Sequence, residues 1–345
     1  RSIIGALIVM VAGCLIVPAA TAADWYPGVL IALFVIASGV TLLQVAANPL
    51  VAELGSPKGA SSRLNLSQAF NSLGTTVGPW LGSHVLLTGG VFAAGAVVTA
   101  ATRSQSLRSI DMAFLGMGAF FALVAIFIFT ARKKINAASP ATTQAVSPLK
   151  ALSSPWAIFG ALAIFLYVGS EVAIGGMLTN FLESPDVLNA PIETAGKMVA
   201  LYWGGAMVGR FIGSAVMTKV RPAVVLVCCT VAAAFLCLIV SQIGGPTAAY
   251  AVLSIGLFNS IMFPSIFTLT LERSTAPTSA TSGLLVFGII GGALLPQAAA
   301  HIADAAGKLQ PAFVVPMLGY VGLTLFAIGC IRTKARTEVT STASH

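Results

Sequence analysis

Charged side chains are scarce in this chain, which has 10 acidic and 18 basic residues among 345. Only 8% of the residues are charged and 57% are hydrophobic, whereas a soluble domain carries about 25% charged residues. A soluble fold of this length would have too few charges to cover its surface. The composition therefore excludes an ordinary soluble domain and indicates an integral membrane protein.

Cysteine and histidine are also rare, with five and three residues. All five cysteines lie in apolar stretches, which indicates small buried side chains and excludes a disulfide framework or a metal centre. The sequence has no GxxxxGK[ST] loop, no HExxH and no Ser-His-Asp pattern with usable spacing. These absences argue against an ATP-driven pump and an enzyme, and we expect no metal and no cofactor.

Long apolar runs are what the sequence has in abundance. A bilayer span needs about 20 apolar residues, and ten runs of suitable length are present. Residues 91–101 are also apolar but too short to span, so we interpret them as a helix extension or an interfacial segment. The ten predicted spans are 2–21, 27–52, 66–90, 111–131, 154–180, 196–217, 222–242, 247–270, 281–303 and 311–331.

The basic residues follow the topology of a membrane protein. If Arg1 lies in the cytoplasm and the spans alternate, thirteen of the 18 basic residues fall in cytoplasmic segments and four in external ones. This bias is the positive-inside rule. It predicts a multi-pass protein of the bacterial inner membrane with both ends of this sequence in the cytoplasm. The surplus positive charge then faces anionic lipid, and no nucleic-acid partner is expected.

A polar segment at 132–153 predicts a flexible cytoplasmic linker between two helical bundles. The predicted domains are therefore an N-terminal bundle at 1–131, a C-terminal bundle at 154–332 and a cytoplasmic tail at 333–345.

A weak repeat relates the two predicted bundles. Gln44 and Pro49 recur as Asn259 and Pro264, both 215 residues later, and parallel repeats are typical of two-bundle transporters. Two spans after the linker have no counterpart before it, so we expect two further helices ahead of Arg1. An alternative interpretation takes the first apolar run as a secretory signal or lipoprotein signal.

Amides lie inside two of the predicted spans. Gln44 and Asn48 are four residues apart, hence on one helix face, and Pro49 removes a backbone donor and kinks the helix. Polar side chains in a span normally face a protein interior or a watery cavity. This pattern predicts an amide-lined inner face that binds a polar solute.

The next span repeats the pattern with Gln68, Asn71 and Thr75 on one face. Amides both donate and accept hydrogen bonds, which suits sugar hydroxyls. The alternative is that these side chains only join helices to each other, at about 0.6 kcal/mol per bond. For the whole set we favour a site for a polar solute.

Glu171 is the only acidic residue, and Arg210 the only basic residue, that lies clearly inside a predicted span. A carboxylate at such a depth is paired, protonated or cation-binding, so Glu171 is the candidate coupling residue for a proton or sodium. Direct pairing with Arg210 is the alternative. We expect Arg210 to bond helix-end carbonyls and to hold an inner gate.

Aromatic and amide groups in the second bundle complete the predicted site. Tyr202 and Trp203 lie beside two glycines and can stack against a sugar ring, although an interfacial aromatic belt is the alternative. Asn259, in the span that repeats the Gln44 span, is a candidate sugar ligand.

Four segments carry a resemblance to a known family: 43–55 (LQVAANPLVAELG), 61–79 (SSRLNLSQAFNSLGTTVGP), 167–176 (YVGSEVAIGG) and 201–214 (LYWGGAMVGRFIGS). At these motifs the chain resembles the fucose–proton symporter family of the major facilitator superfamily, most closely its glucose/galactose transporter branch. The resemblance extends over residues 1–332. It implies an all-α membrane fold of twelve helices in two six-helix bundles, of which ten spans are in this sequence, with alternating access to a central sugar site.

The resemblance also implies roles for individual residues. Gln68 and Asn71 would contact sugar, and Gln44 would lie near both the sugar and the coupling site. The fucose branch has a carboxylate where this chain has Gln44, and a glutamine cannot carry a proton. Glu171 is therefore the best remaining carboxylate, and the coupling ion is left open between proton and sodium.

The sequence thus predicts a monomeric symporter that imports glucose, galactose or a related hexose across a lipid bilayer. Two alternatives are kept: a drug–proton antiporter of the same fold, and a truncated membrane protein that does not transport. The amide-rich faces disfavour the first, because drug sites are usually more apolar.

Overall fold

The computed structural model describes residues 2–54, 56, 59–86, 97, 99–138 and 147–336. Within these ranges every regular element is helical, and nine helical segments are long and apolar enough to cross a bilayer. The helices are α1 Ser2–Ala22, α2 Tyr26–Glu53, α3 Ala60–Leu86, α4 Ala100–Ala138, α5 Pro155–Glu183, α6 Ile192–Val216, α7 Pro222–Gln242, α8 Gly245–Asn259, α9 Met262–Leu271, α10 Thr278–Phe287, α11 Gly291–Ala306 and α12 Val314–Arg332.

The helices follow the predicted spans closely. The span predicted at 222–242 coincides with α7, and most of the others differ by a few residues at their ends. The exceptions are α4, which is much longer, and the spans at 247–270 and 281–303, each of which consists of two helices. The span predicted at 66–90 lies on α3, whose last described residue is Leu86. Most of the apolar stretch 91–101, interpreted as a helix extension or interfacial segment, lies outside the described residues.

Helix α4 is longer than its predicted span of 111–131 at both ends. At its start, the Thr99 hydroxyl accepts from the backbone N–H of Thr102 at 3.2 Å, and the Thr102 hydroxyl accepts from the N–H of Thr99 at 2.9 Å. This reciprocal cap satisfies donors that a helix end leaves open. It therefore begins the helix well before the apolar run does.

At its other end α4 continues through Ala138, into the segment predicted as a linker from 132. The Arg132 guanidinium lies 3.6 Å from the centre of the Phe129 ring, and lysine, arginine and alanine are good helix formers. Residues 139–146 lie outside the described part of the chain. A 3-10 turn at Pro148–Ser153 then leads into α5, whose first turn is capped by the Ser154 hydroxyl.

The contacts divide the chain into two units, one of residues 1–50 and 74–142, the other of residues 51–73 and 143–345. In the first unit α1 packs against α2 and α4. Gly13 of α1 and Gly39 of α2 allow the two helices to approach closely. A Cβ at Gly13 would meet the Ile36 side chain, and one at Gly39 would meet the Met10 side chain.

The second unit is built around α5, which packs against α6, α9, α11 and α12. Helix α7 packs against α8 and α12. The core of the second unit includes the buried aromatic side chains Tyr167, Tyr202 and Tyr320. It also includes the ring pair Phe181 and Phe313, whose centres lie 5.0 Å apart. Polar groups on these helices therefore lie inside a well-packed bundle.

The span predicted at 247–270 is broken into two helices. Helix α8 ends at Asn259 and α9 begins at Met262. Pro264 has no N–H, so it cannot bond the carbonyl of Ser260 four residues earlier. The repeat-related Pro49 behaves differently, because α2 runs through it as one helix. The break therefore leaves the Ser260 carbonyl in the bundle interior without its helical donor, and a buried carbonyl needs another one.

Candidate functional site

Glu171 lies near the middle of α5 and is half-buried. One carboxylate oxygen accepts a hydrogen bond from the Tyr167 hydroxyl at 2.7 Å, and the tyrosine is buried one helical turn away. No ion pair joins Glu171 to Arg210, both of which the structure describes. The carboxylate is therefore held by a neutral donor and not by an ion pair.

Tyr202 and Asn259 meet in the interior of the second unit. The Asn259 amide nitrogen donates to the Tyr202 hydroxyl at 2.8 Å, and both side chains are fully buried. The amide oxygen of Asn259 has no partner among the described atoms. The Tyr320 hydroxyl, from α12, is buried and also has no hydrogen-bond partner among the described atoms. Four helices thus contribute to one polar cluster of Tyr167, Glu171, Tyr202, Asn259 and Tyr320.

Trp203 lies at the edge of this cluster. Its indole meets the Tyr202 ring edge-to-face, with ring centres 5.2 Å apart and an angle of 86°. It is 37% exposed, whereas Tyr202 is buried. A Cβ at Gly175 of α5 would lie 3.2 Å from the indole, so the glycine makes room for the ring. An exposed ring face beside buried hydroxyl and amide groups is suited to a sugar ring.

Arg210 occupies the break between α8 and α9. Its Nε donates to the Ser260 carbonyl at 3.0 Å, the carbonyl that Pro264 leaves without a helical donor. One terminal nitrogen donates to the backbone carbonyl of Gln68 at 3.1 Å and also to the Ser72 hydroxyl. One side chain thus connects α6 with α3 and with the α8–α9 break.

A row of glycines on α6 brings the break close enough for this contact. Gly205, Gly209 and Gly213 are spaced by four and lie on one face. A Cβ at Gly209 would collide with the carbonyl oxygen of Leu257 and with the Ser260 side chain. Small residues at this spacing allow close packing of membrane helices, so the glycines position the Ser260 carbonyl beside Arg210.

The first half of α3 belongs to the second unit and makes further polar contacts there. Ser62 and Ser214 bond reciprocally: each hydroxyl donates to the other's carbonyl, at 2.9 and 3.0 Å. The Ser61 hydroxyl lies 2.6 Å from that of Thr268. The buried Asn65 amide donates to the Ser61 carbonyl. We refer to the contacts of Ser61 and Ser62 with α9 and α6 as the serine junction.

The predicted amides of α3 have different environments. Gln68 is half-buried and its backbone accepts from Arg210, whereas Asn71 is exposed. Thr75 lies on the same helix in the first unit, and its side chain is outside the described part. Gln68 and Asn71 are therefore on the stretch of α3 that Arg210 holds.

Gln44, Asn48 and Pro49 lie on α2 in the first unit. Asn48 and Pro49 are buried and Gln44 is half-buried. The predicted ligands therefore divide between the units, with Gln44, Asn48 and Thr75 in the first. In the described part of the chain no group of three or more His, Cys, Asp or Glu side chains is arranged to hold a metal ion.

A family model decides the identity of this fold. The model of the major facilitator superfamily matches residues 1–296. The chain belongs to the major facilitator superfamily. Its members are transporters, so this superfamily protein is a multi-pass membrane transporter and not an enzyme, and the predicted all-helical membrane fold is confirmed.

Relatives within the superfamily are sugar transporters. The chain is 41% identical over 333 residues to the glucose/galactose transporter of Brucella abortus biovar 1, covering 95% of this chain and 77% of the relative. It is 30% identical over 317 residues to the L-fucose-proton symporter of Escherichia coli K12, covering 86% and 70%. The resemblance stated from the four sequence motifs is therefore confirmed.

Solved structures agree with the sequence comparison. The chain matches a crystal structure of the transporter FucP in the outward conformation with a TM-score of 0.83 at 25% identity, covering 96% of this chain and 83% of FucP. It matches the human organic anion transporter MFSD10 with a TM-score of 0.58 at 16% identity, covering 94% and 76%. The second likeness shows the fold alone.

Some members of the polar cluster do not follow from the sequence motifs. Tyr167 had a local signal, because it precedes Glu171 by one helical turn and so shares its face. Tyr320 had none, because α12 reaches the cluster only through tertiary packing.

Proposed function

We propose that this chain is a symporter of the bacterial inner membrane that imports a hexose, glucose, galactose or a close relative, with a proton or sodium as the coupling ion. The observation that best supports this is the buried polar cluster, in which Tyr202 and Asn259 present hydroxyl and amide groups beside Glu171. Its relatives' names support a sugar as substrate.

Sugar recognition is assigned to amide and aromatic side chains. Hydroxyl-rich ligands need groups that donate and accept, and the orphaned amide oxygen of Asn259 offers a buried acceptor. Trp203 offers an exposed ring face for stacking. The proposed sugar ligands are Gln44, Asn48, Gln68, Asn71, Thr75, Tyr202, Trp203 and Asn259.

Glu171 is the proposed coupling residue. Its carboxylate is half-buried in a span and bonded to a hydroxyl instead of a cation, so a proton or sodium ion can bind without displacing a salt bridge. Tyr202 and Tyr320 are buried members of the same polar cluster. Cation binding would thereby change the polarity of the region where we place the sugar.

Arg210 and Pro49 are proposed to act in gating. Arg210 ties α6 to α3 through the Gln68 carbonyl and the Ser72 hydroxyl, and alternating access requires such contacts to form and break. Pro49 gives α2 a point at which to bend. The topology, with basic segments in the cytoplasm, rests on the distribution of Lys and Arg.

Uptake into proteoliposomes tests this function. Labelled glucose, galactose and fucose are supplied in turn under an imposed sodium or pH gradient. We expect uphill uptake of one hexose under one gradient. Folded protein that neither accumulates nor exchanges any of the three sugars would overturn the proposal, and efflux of lipophilic cations would then favour the drug–proton antiporter.

An asparagine variant tests the sugar site separately. We expect Asn71→Ala to abolish hexose binding, because an exposed amide on the stretch of α3 held by Arg210 is lost. Gln242→Ala, which removes an exposed amide at the end of α7, is the matched control and should bind normally. Wild-type affinity in Asn71→Ala would exclude this site assignment.

A further inference from the structure

A groove of about 420 Å³ lies between α5 and α12, on a face of the second unit that the polar cluster does not use. Its walls are apolar and aromatic, and several of them are exposed. The residues that define it are Trp156, Phe159 and Leu166 of α5, and Gly322, Phe326 and Gly329 of α12.

The shape of the groove is fixed by glycines and by aromatic packing. A Cβ at Gly322 would lie 2.8 Å from a methyl of Leu166, and one at Gly329 would lie 3.6 Å from the Trp156 indole. Trp156 meets Phe159 and Phe326 edge-to-face, with centres 6.3 and 6.1 Å apart. The aromatic walls therefore support each other, and glycines leave space between them.

The length of the groove matches one leaflet of a bilayer. From Trp156 to Leu166 the rise of α5 is about 15 Å, and half of a hydrocarbon core is also about 15 Å. Burying sugar hydroxyls against such walls would leave them without partners, which is costly. An extended hydrocarbon chain meets no such cost, so the groove suits an acyl chain.

One end of the groove is positively charged. Gly322, Leu325, Gly329 and Arg332 share one face of α12, so Arg332 continues the groove wall beyond its apolar part. Arg332 is exposed and makes no ion pair with any described residue. Trp156 lies at the same end, and tryptophan is typical of the membrane interface.

We propose that this groove binds one anionic phospholipid, with an acyl chain between α5 and α12 and the headgroup phosphate on Arg332. The charge at the mouth and the apolar length below it match the two parts of such a lipid. A zwitterionic lipid would fill the groove but gain less from the cation at its mouth. This inference is independent of the transported sugar and requires only that the protein lies in a bilayer.

Quenching of Trp156 fluorescence tests the proposal directly. Trp25, Trp80 and Trp203 are replaced by Phe in the full chain, and the protein is placed in phosphatidylcholine bilayers that contain brominated phosphatidylglycerol or brominated phosphatidylcholine. We expect phosphatidylglycerol to quench Trp156 more strongly. Arg332→Gln should lower this preference about five-fold, the effect of one basic residue near an anionic surface.

Lys133→Gln is the matched control, because it removes an exposed positive charge from α4, a helix of the first unit that contributes no residue to the groove. The proposal predicts an unchanged lipid preference in this variant. Equal quenching by the two lipids would overturn the proposal. An equal loss of preference in both charge variants would also overturn it, because the preference would then come from the overall positive charge of the protein surface.

A groove-filling variant tests the acyl-chain part. Gly329→Leu places a side chain against Trp156 and should reduce quenching by both brominated lipids, measured with protein whose folding is checked by thermal unfolding. If that variant does not fold, Phe159→Ala removes one exposed wall and should reduce quenching in the same way. Undiminished quenching in a folded variant would show that no chain lies in the groove.

Discussion

The guanidinium of Arg210 donates to the carbonyl of Ser260, the one that Pro264 leaves without a helical donor. A proline and an arginine 54 positions apart in the sequence therefore act on one backbone atom. An unpaired buried carbonyl is costly, so the arginine stabilises the break as well as linking α6 to α3. The break and the link depend on each other.

Arg210→Lys should be strongly destabilising. Lysine keeps the charge but not the planar set of donors that reaches Ser260, Gln68 and Ser72 together. We expect the free energy of unfolding to fall by about 1.5–3 kcal/mol, measured by unfolding in detergent. Arg221→Lys, on an exposed side chain with a single 3.5 Å contact to the Ile331 carbonyl, is the control and should differ little from the wild type.

The role of Pro264 can be separated with a double variant. Pro264→Ala restores an N–H four residues after Ser260, so Arg210→Lys should cost less in that background. Strict additivity of the two substitutions would contradict the link between the proline and the arginine.

Gly209→Ala should destabilise the second unit. The added Cβ would meet the Leu257 carbonyl and the Ser260 side chain, and such overpacking costs about 1–3 kcal/mol. Gly204→Ala is the matched control on the same helix, because no atom lies within 4 Å of a Cβ there. Thermal unfolding should separate the two variants, and equal melting temperatures would mean that α6 can move away from the break at little cost.

Glu171→Gln should uncouple transport. The neutral side chain cannot take up a proton and has no charge to attract sodium, so we expect loss of uphill accumulation while sugar exchange continues. Counterflow and gradient-driven uptake in proteoliposomes measure the two activities. Glu183→Gln, at the last residue of the same helix, should accumulate sugar normally. Undiminished accumulation in Glu171→Gln would exclude this residue as the coupling group.

Glu272 should give the protein a pH-dependent stability. Burial raises the pKa of its carboxyl above the ordinary value of 4.5, although Arg273 acts in the opposite direction. The folded state then binds more protons than the unfolded state between the two pKa values, so stability falls as pH rises through that window. Thermal unfolding of the wild type and Glu272→Gln as a function of pH should show the difference between them growing from about pH 4.5 upward. A difference that does not change with pH would contradict this assignment.

The sequence predicted the spans well because long apolar runs have few other stable environments. It did not predict the start of α4 at Ala100, where two threonines cap the helix ahead of its apolar run. It also identified Tyr202 and Asn259 separately, from a motif and a repeat. Their mutual hydrogen bond and the approach of Tyr320 depend on how four helices pack, which no local pattern encodes.

The serine junction joins its helices with uncharged groups. Ser62 and Ser214 can each give and receive a hydrogen bond, so water can replace either partner as soon as the two helices separate. Each bond then contributes only about 0.5–1.5 kcal/mol net, and no stranded ion has to be solvated. Contacts of this kind can therefore break and reform at low energetic cost, unlike a buried ion pair of the same reach.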